Sequence, residues 1–463
     1  MRHLDKKDVN YFASLVGNEN VLSDESLKEP YSHDYTEDLR FMPSLVLKPA
    51  TVEEISGVLK HCNEKKIPVT ARGAGTGLSG GALPVEGGIV LAMERLNRII
   101  DIDTQSFQAI VEPGVINEVF QQAVMEKGLF YPPDPASKGS CFLGGNIAHS
   151  SGGPRAVKYG TTKDFVLNLQ VVLASGEVIW TGANTLKNST GYNLTQLMVG
   201  SEGTLGIVTK IVFRLLPLPR HHFLMLAQFE TAKVACECVS KIFMEGTTPS
   251  ACEFMSRPAF TASLDYLNIK FDLPENAEAL LLIELDGNNL DMLHNEGLQV
   301  AENMLGWSCV DVLVFDTAEQ QEHIWKIRRS IGEAAKHNNV YKEEDTVVPR
   351  AYLPALLDQV AEIESRYGFR TIIYGHAGDG NLHINILKDQ LSDNFWKNVI
   401  PKAITEIFEK CVRLGGTISG EHGIGYVQKP YIHLALSDTH RHLMRSIKNA
   451  FDPSGILNPG KIF

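Results

Sequence analysis

Seven glycines crowd into the sixteen residues Gly73–Gly88. Glycine loses more conformational freedom on folding than any other residue and weakens helix and strand interiors alike, so this stretch must be a loop whose backbone approaches something closely. The run Arg72-Gly73-Ala74-Gly75-Thr76-Gly77-Leu78-Ser79-Gly80-Gly81 contains G-x-G-x-x-G at Gly75, Gly77 and Gly80. In a doubly wound nucleotide fold a helix starts immediately after that fingerprint. Here Ala82-Leu83-Pro84-Val85-Glu86-Gly87-Gly88 follows, which cannot start a good helix, and the nicotinamide reading is rejected. Successive N–H groups in a glycine loop still form a nest aimed at an anion, so pyrophosphate binding without a helix is the expectation. A bare turn between strands needs far fewer glycines.

The rest of the chain sets bounds on what surrounds that loop. Its 463 residues exceed a single average domain, and 44% hydrophobic with 21% charged residues is ordinary globular composition, which excludes disorder. A net charge of −12 argues against nucleic acid but leaves room for a local basic pocket that takes a small anion. No apolar run approaches the roughly 18–20 residues of a spanning helix. The start, MRHLDKKDVNYF, lacks an apolar signal region. Seven scattered cysteines without a C-x-x-C pair give poor support to a zinc ribbon, an iron–sulfur cluster or a disulfide framework. The expectation is a reduced, soluble, cytoplasmic protein.

Short strands and helices alternate up to Leu216-Pro217-Leu218-Pro219, which marks the first domain boundary. Beyond it, strands are expected at Phe223–Phe229, Ala279–Leu285, Val310–Phe315, Thr371–Tyr374 and Leu382–Leu387, with Ala279–Leu285 and Val310–Phe315 buried. Helices are expected at Thr231–Gly246, Asn289–Leu305, Thr317–Asn338 and Pro354–Tyr367. This α+β order fits an antiparallel sheet with helices on one face, followed by a mainly helical end.

Three further segments accompany the glycine loop: Pro132-Pro133-Asp134-Pro135, Gly144-Gly145-Asn146 through Gly152-Gly153, and Gly200-Ser201-Glu202-Gly203-Thr204-Leu205-Gly206-Ile207-Val208. In this order and spacing they resemble the two-lobed flavin domain of the vanillyl-alcohol oxidase (PCMH-type FAD-binding) superfamily. The match is to its branch of FAD-linked D-2-hydroxy acid dehydrogenases, which includes glycolate oxidase catalytic subunits, D-lactate dehydrogenases and D-2-hydroxyglutarate dehydrogenases. The resemblance implies an FAD domain over residues 1–218, a substrate (cap) domain over 219–420, and a segment 421–463 that returns to the FAD domain. It implies that Arg72, Gly73, Ala74, Gly75, Thr76, Gly77, Leu78, Ser79, Gly80 and Gly81 hold the pyrophosphate. Pro133, Asp134, Gly144, Gly145, Asn146 and Gly153 would line the flavin. Glu202, Gly203, Gly206, Ile207 and Val208 would face the adenine and ribose, and Asn458, in Asn458-Pro459-Gly460-Lys461, would return to the flavin domain. Covalent relatives carry a histidine in the glycine loop where this chain has Leu78, so non-covalent FAD is expected.

A second cluster is Tyr374-Gly375-His376-Ala377-Gly378-Asp379-Gly380-Asn381-Leu382-His383-Ile384-Asn385, followed later by Glu421-His422-Gly423. On a strand, His383 and Asn385 share a face. Two histidines and a carboxylate form a catalytic divalent-metal site with open positions, for which zinc suits the donors and manganese or iron do too. The resemblance puts His376, His383 and Glu421 on the ligand positions, His422 on the catalytic base and Asn385 beside the substrate.

In Ile324-Trp325-Lys326-Ile327-Arg328-Arg329-Ser330-Ile331-Gly332, at about 100° per residue, Arg328 falls inside an apolar stripe with Ile324, Ile331 and Ala335. An arginine there needs a buried anion, either a structural glutamate or the substrate carboxylate. The resemblance also selects Arg328, and with it Lys342. Dicarboxylate-selective relatives show a hydroxyl residue where this chain has Gly332, which favours a smaller acid, D-lactate or glycolate.

The chemistry so implied is oxidation of a 2-hydroxy acid. The metal polarises the hydroxyl, a neutral histidine takes its proton and hydride leaves Cα for flavin N5. Electrons then pass to an outside acceptor: an iron–sulfur subunit, an electron-transfer flavoprotein or a quinone. The competing readings are a D-2-hydroxyglutarate dehydrogenase, an alkyl-glycerone-phosphate synthase with non-redox flavin chemistry, an FAD-binding accessory subunit without the metal cluster, and a flavin-free metal protein. The short chain argues against the synthase, and the histidine cluster against the accessory subunit. Oligomeric state is not legible.

Overall fold

The helix Val52–Lys65 shows how local rules build the first half of the molecule. Thr51 caps it by accepting from the Glu54 N–H (3.2 Å), Glu53 and Glu54 sit in its first turn, and Lys66 ends it in the left-handed region. Its stripe Ile55, Val58, Leu59 and Cys62 packs into a core with Leu45, Leu47, Val69, Ile89, Leu91 and Leu457. The structure is a computed structural model that describes residues 4–36, 38–337 and 339–463, so the expected helix end at Asn338 and the first three residues of the chain lie outside it.

The chain forms two units. One comprises Met1–Gly152, Thr161–Leu218 and Glu421–Phe463; the other comprises Gly153–Gly160 and Pro219–Gly420. The first unit carries two larger sheets and a two-stranded ribbon of Leu129–Phe130 with Leu216–Pro217. In one, Val21–Leu22, Leu45–Leu47, Ile89–Ala92 and Val69–Arg72 lie in that order, the last three parallel. The other is antiparallel, in the order Ile99–Asp103, Gln108–Val111, Ile207–Arg214, Val166–Val172 and Val178–Trp180. The tail joins the first sheet: Val69 donates to the Ile456 carbonyl and Asn458 to the Val69 carbonyl, both at 2.8 Å.

The second unit is a seven-stranded antiparallel sheet. Its order is Cys309–Phe315, His221–Phe229, Ala279–Gly287, Ala251–Ser256, Arg370–His376, Asn381–Leu387 and Tyr341–Val347. Three of its features differ from the sequence expectation. Ala251–Ser256 and Tyr341–Val347 are strands although their acids, Glu253, Glu343, Glu344 and Asp345, mask any apolar pattern. Cys309–Phe315 is only half-buried, because it is an edge strand with Asp311 in its middle. The helix expected over Thr317–Asn338 is two, Ala318–Arg329 and Ile331–His337, separated at Ser330.

Helices cover both faces of this sheet. Arg257–Leu267 and the two helices around Ser330 pack with Leu280, Leu282, Met255 and Tyr374 on one face. On the other, Gly297 of the helix Leu290–Gly306 lies against Phe223, whose cross-strand partner is Leu285. The continuous apolar run Leu280–Ile283, rather than an alternating one, is what two covered faces require. Among the described residues no helix is long and apolar enough to cross a membrane.

Candidate active site

In the first unit the glycine loop follows the strand Val69–Arg72, and no helix follows it. Residues 74–79 are buried or half-buried, yet none of their backbone N–H groups has an acceptor among the described residues. Gly75 and Gly80 hold φ values of +76° and +72°, which side chains rarely tolerate. A Cβ at Gly75 would overlap the Arg72 guanidinium. Arg72 is buried, donates to the Pro30 carbonyl (3.1 Å), and keeps Nη1 without an acceptor. Burial lowers its pKa, and burial likewise raises that of nearby Asp34.

Glycines from three segments converge here. Gly73 lies against Phe142 and the Gly145 N–H, a Cβ on Gly145 would meet nothing within 4 Å, and Gly203 has only Ala71 at 4.0 Å. An open, glycine-walled surface beside unpaired N–H groups and an unpaired buried guanidinium N–H fits the pyrophosphate and edge of a flavin nucleotide.

The other expected cofactor residues divide by role. Asn146 donates to Asn117 Oδ1 (3.0 Å), while the Pro133 carbonyl accepts from Asn117 Nδ2 (3.2 Å) and Gln121 Nε2 (2.9 Å). Asp134 pairs with Lys138 at 3.2 Å, and Gly144 packs on Pro113. Gly153 belongs to the second unit, in the segment Gly153–Gly160. Gly206 is required by the close approach of Val171, the Ile207 side chain lies in the core, and Val208 is half-buried on the same strand.

The Glu202 carboxylate accepts from the Ile424 (2.8 Å) and Gly425 (2.7 Å) N–H groups, so it fixes the turn after His422. Asn458 Nδ2 donates to the Gly81 (3.0 Å) and Glu202 (2.7 Å) carbonyls, which ties tail, glycine loop and turn together. Ser79 Oγ donates to the His422 carbonyl at 2.9 Å, and Leu78, its neighbour, is half-buried. Sequence reading missed His149, although it lies inside a quoted segment. Its ring packs against Gly77, Gly81 and Gly423, with Nδ1 buried and unpartnered.

In the second unit, strand alternation puts His376, His383, Asn385 and Tyr374 on one sheet face. The His376 and His383 rings are 5.5 Å apart and nearly perpendicular, at 87°, and both residues are buried. Each has a carboxylate beside it. His376 Nδ1 lies 2.9 Å from both oxygens of Glu253, which is fully buried. His383 Nδ1 is 3.4 Å from Glu343 and 3.9 Å from Asp345. Burial alone would raise the Glu253 pKa, but His376 and Arg328 more than offset that and hold it low. Histidine pairs backed by carboxylates are the usual support of a metal site, so the donor set fits a divalent ion.

Arg328 has the structural partner: Nη2 donates to Glu253 Oε2 at 2.5 Å, while Nε is buried without an acceptor. The guanidinium stacks on Tyr374 at 5.0 Å. A Cβ at Gly332 would sit 3.1 Å from the Tyr374 hydroxyl, so the space one turn beyond Arg328 is already occupied. Asn385 is fully buried and its Oδ1 is unpartnered.

Lys342 sits apart from the histidines. It pairs with Ile386 across the strands, on the opposite face from His383, and its ammonium stacks on Trp396 at 5.6 Å. Its neighbour Glu343 is the residue that faces the histidines. Of the two remaining expected residues, Glu421 and His422 open the last stretch of the first unit. They follow Gly420, whose N–H donates to Asp345 Oδ2 at 2.8 Å.

Comparisons with known proteins identify a family for each half of the chain. Residues 43–182 match the family described as FAD binding domain, and residues 218–462 match FAD linked oxidases, C-terminal domain. The chain is 40% identical to the glycolate oxidase subunit GlcD of Bacillus subtilis, over 99% of this chain and 97% of that one. It is 36% identical to a D-lactate dehydrogenase of Anaerostipes hadrus, over 96% and 94% respectively. Among solved structures, p-cresol methylhydroxylase with substrate bound shares the fold, with a TM-score of 0.81 at 20% identity over 98% of this chain and 96% of that one.

Proposed function

Because this chain belongs to the FAD-linked oxidases, an oxidoreductase family of the glycolate oxidase and D-lactate dehydrogenase type, we propose that it oxidises a small D-2-hydroxy acid, D-lactate or glycolate, to the 2-oxo acid. The observation that carries this reading is the buried His376–His383 pair, backed by carboxylates and flanked by Arg328 and Asn385 on one sheet face.

Each group has a role. Arg328 Nε, buried and without an acceptor, binds one carboxylate oxygen of the acid. Asn385 orients the substrate through its unpartnered Oδ1. His422 takes the hydroxyl proton at its imidazole nitrogen, a task that suits a side chain titrating near neutrality. A divalent ion, zinc by preference and manganese or iron as alternatives, held by His376, His383 and Glu421, would make that hydroxyl more acidic. The flavin, when bound, accepts the hydride from Cα. The glycine loop, Arg72 and Gly145 hold the flavin nucleotide, and Leu78, having no nucleophilic atom, leaves it non-covalent.

Size selection favours the smaller acids. Gly332 carries no hydroxyl of its own, and the Tyr374 hydroxyl takes up the space over it, which leaves less room for a second carboxylate. All seven cysteines are buried and free, which fits an electron acceptor supplied from outside: an iron–sulfur subunit, an electron-transfer flavoprotein or a quinone.

The test is the visible spectrum of the purified protein under anaerobic conditions, before and after D-lactate, glycolate, D-2-hydroxyglutarate and L-lactate. Bleaching by D-lactate or glycolate is expected. Bleaching by D-2-hydroxyglutarate alone would move the assignment to that dehydrogenase. A yellow protein that no acid bleaches would turn the assignment to non-redox flavin chemistry of the alkyl-glycerone-phosphate synthase kind or to an accessory subunit.

A further inference from the structure

We infer that Glu253 is a positioning residue that sets His376 and Arg328 with a single carboxylate, an inference that rests on the metal reading above. Glu253 stands in the strand Ala251–Ser256, opposite Leu282 and fully buried. Its two oxygens face His376 Nδ1 at 2.9 Å each, and Oε2 also receives Arg328 Nη2 at 2.5 Å. An ionised carboxylate only accepts hydrogen bonds. Nδ1 of His376 is therefore the protonated nitrogen, and Nε2 carries the lone pair that a metal ion would use. The same carboxylate fixes the guanidinium over Tyr374 and leaves Arg328 Nε unspent for a substrate anion. Metal ligand and substrate cation thus share one anchor, and a change in it is felt at both.

A glutamine at this position tests both functions. It has the same shape, but its amide offers one accepting oxygen and one donating nitrogen. Whichever way the amide lies, its nitrogen turns a donor toward His376 Nδ1, which faces both oxygen positions at 2.9 Å, and its uncharged oxygen holds Arg328 more weakly. The Glu253→Gln protein is expected to bind metal about 10- to 100-fold more weakly and to raise KM for the hydroxy acid, with FAD content unchanged because the glycine loop belongs to the other unit.

Direct titration of the FAD-loaded protein with Mn²⁺ and Zn²⁺, read by equilibrium dialysis and elemental analysis, measures the first effect, and steady-state kinetics at saturating metal measures the second. Glu253→Asp keeps the charge on a shorter arm and should recover part of the metal affinity that the amide loses. It also stands in should the amide variant fail to fold. Equal metal affinity and KM in wild type and Glu253→Gln would overturn the inference and leave the metal reading standing, as would an aspartate that recovers nothing. A wild type that binds neither ion would overturn the metal reading and this inference together.

Discussion

The two candidate binding regions are made of different materials. In the first unit the surface is backbone: unpaired N–H groups of residues 74–79, with Gly73, Gly145 and Gly203 facing an opening that side chains would fill. In the second unit it is side chain: His376, His383, Arg328 and Asn385 on one sheet face, each oriented by a partner or left with one unspent polar atom. A backbone surface recognises a phosphate by geometry and tolerates little change in glycine. A side-chain surface carries proton and ion chemistry, and its behaviour depends on the carboxylates behind it.

That contrast can be broken or sharpened by substitution. The largest effect belongs to His422→Ala, which is expected to slow flavin reduction by about 10²- to 10⁴-fold while flavin and metal contents stay unchanged. Normal anaerobic stopped-flow rates would remove His422 as the base.

Next comes acid sensitivity at Glu284 of the second unit. Burial alone would raise its pKa, but Arg155, His222 and the Trp325 N–H (3.0 Å) outweigh that and hold it at about 2, below its ordinary value of 4.5. A depressed carboxylate pKa gives stability that is present above pH 4.5 and lost as pH falls from there toward 2, here on the order of 3 kcal/mol. Denaturation midpoints across that window should fall in wild type and flatten in Glu284→Gln; parallel curves would contradict the assignment.

Glu421→Gln should lower metal affinity by about tenfold or more by elemental analysis, and unchanged metal would place the ligand elsewhere. Gly75→Val forces a branched residue into φ +76° against Arg72, which at about 1–2 kcal/mol should weaken FAD binding about tenfold. Full flavin occupancy after purification would show that the loop is not the cradle. The smallest effect is expected of Lys342→Ala. Its side chain lies on the far sheet face against Trp396, so KM should stay within about twofold of wild type. A tenfold rise would restore Lys342 to the site.

The same contrast accounts for what the sequence made legible. Backbone recognition leaves a compositional trace, and seven glycines in sixteen residues were enough to mark the loop. Arg328 was legible as a cation inside an apolar helical stripe, a position with few interpretations. Its partner was not. Glu253 sits in Ala-Cys-Glu-Phe-Met-Ser, where an acid interrupts an apolar run and reads as a surface break. Asp345 was equally obscure, because Tyr341–Val347 is half acidic and gives no strand period. Missing that strand also misplaced Lys342, since alternate residues on a strand point to opposite faces. The part Glu202 plays in the turn is not legible, because nothing local reveals that its carboxylate accepts from backbone N–H groups more than two hundred residues away.

Chelation tests most directly the proposal that both regions serve one reaction. FAD-loaded protein treated with a chelator and dialysed should remain yellow on anaerobic addition of the D-acid that bleaches the untreated enzyme, and should bleach when zinc or manganese is returned. Undiminished bleaching of the metal-free protein would contradict the claim that the histidine face prepares the acid that the flavin oxidises.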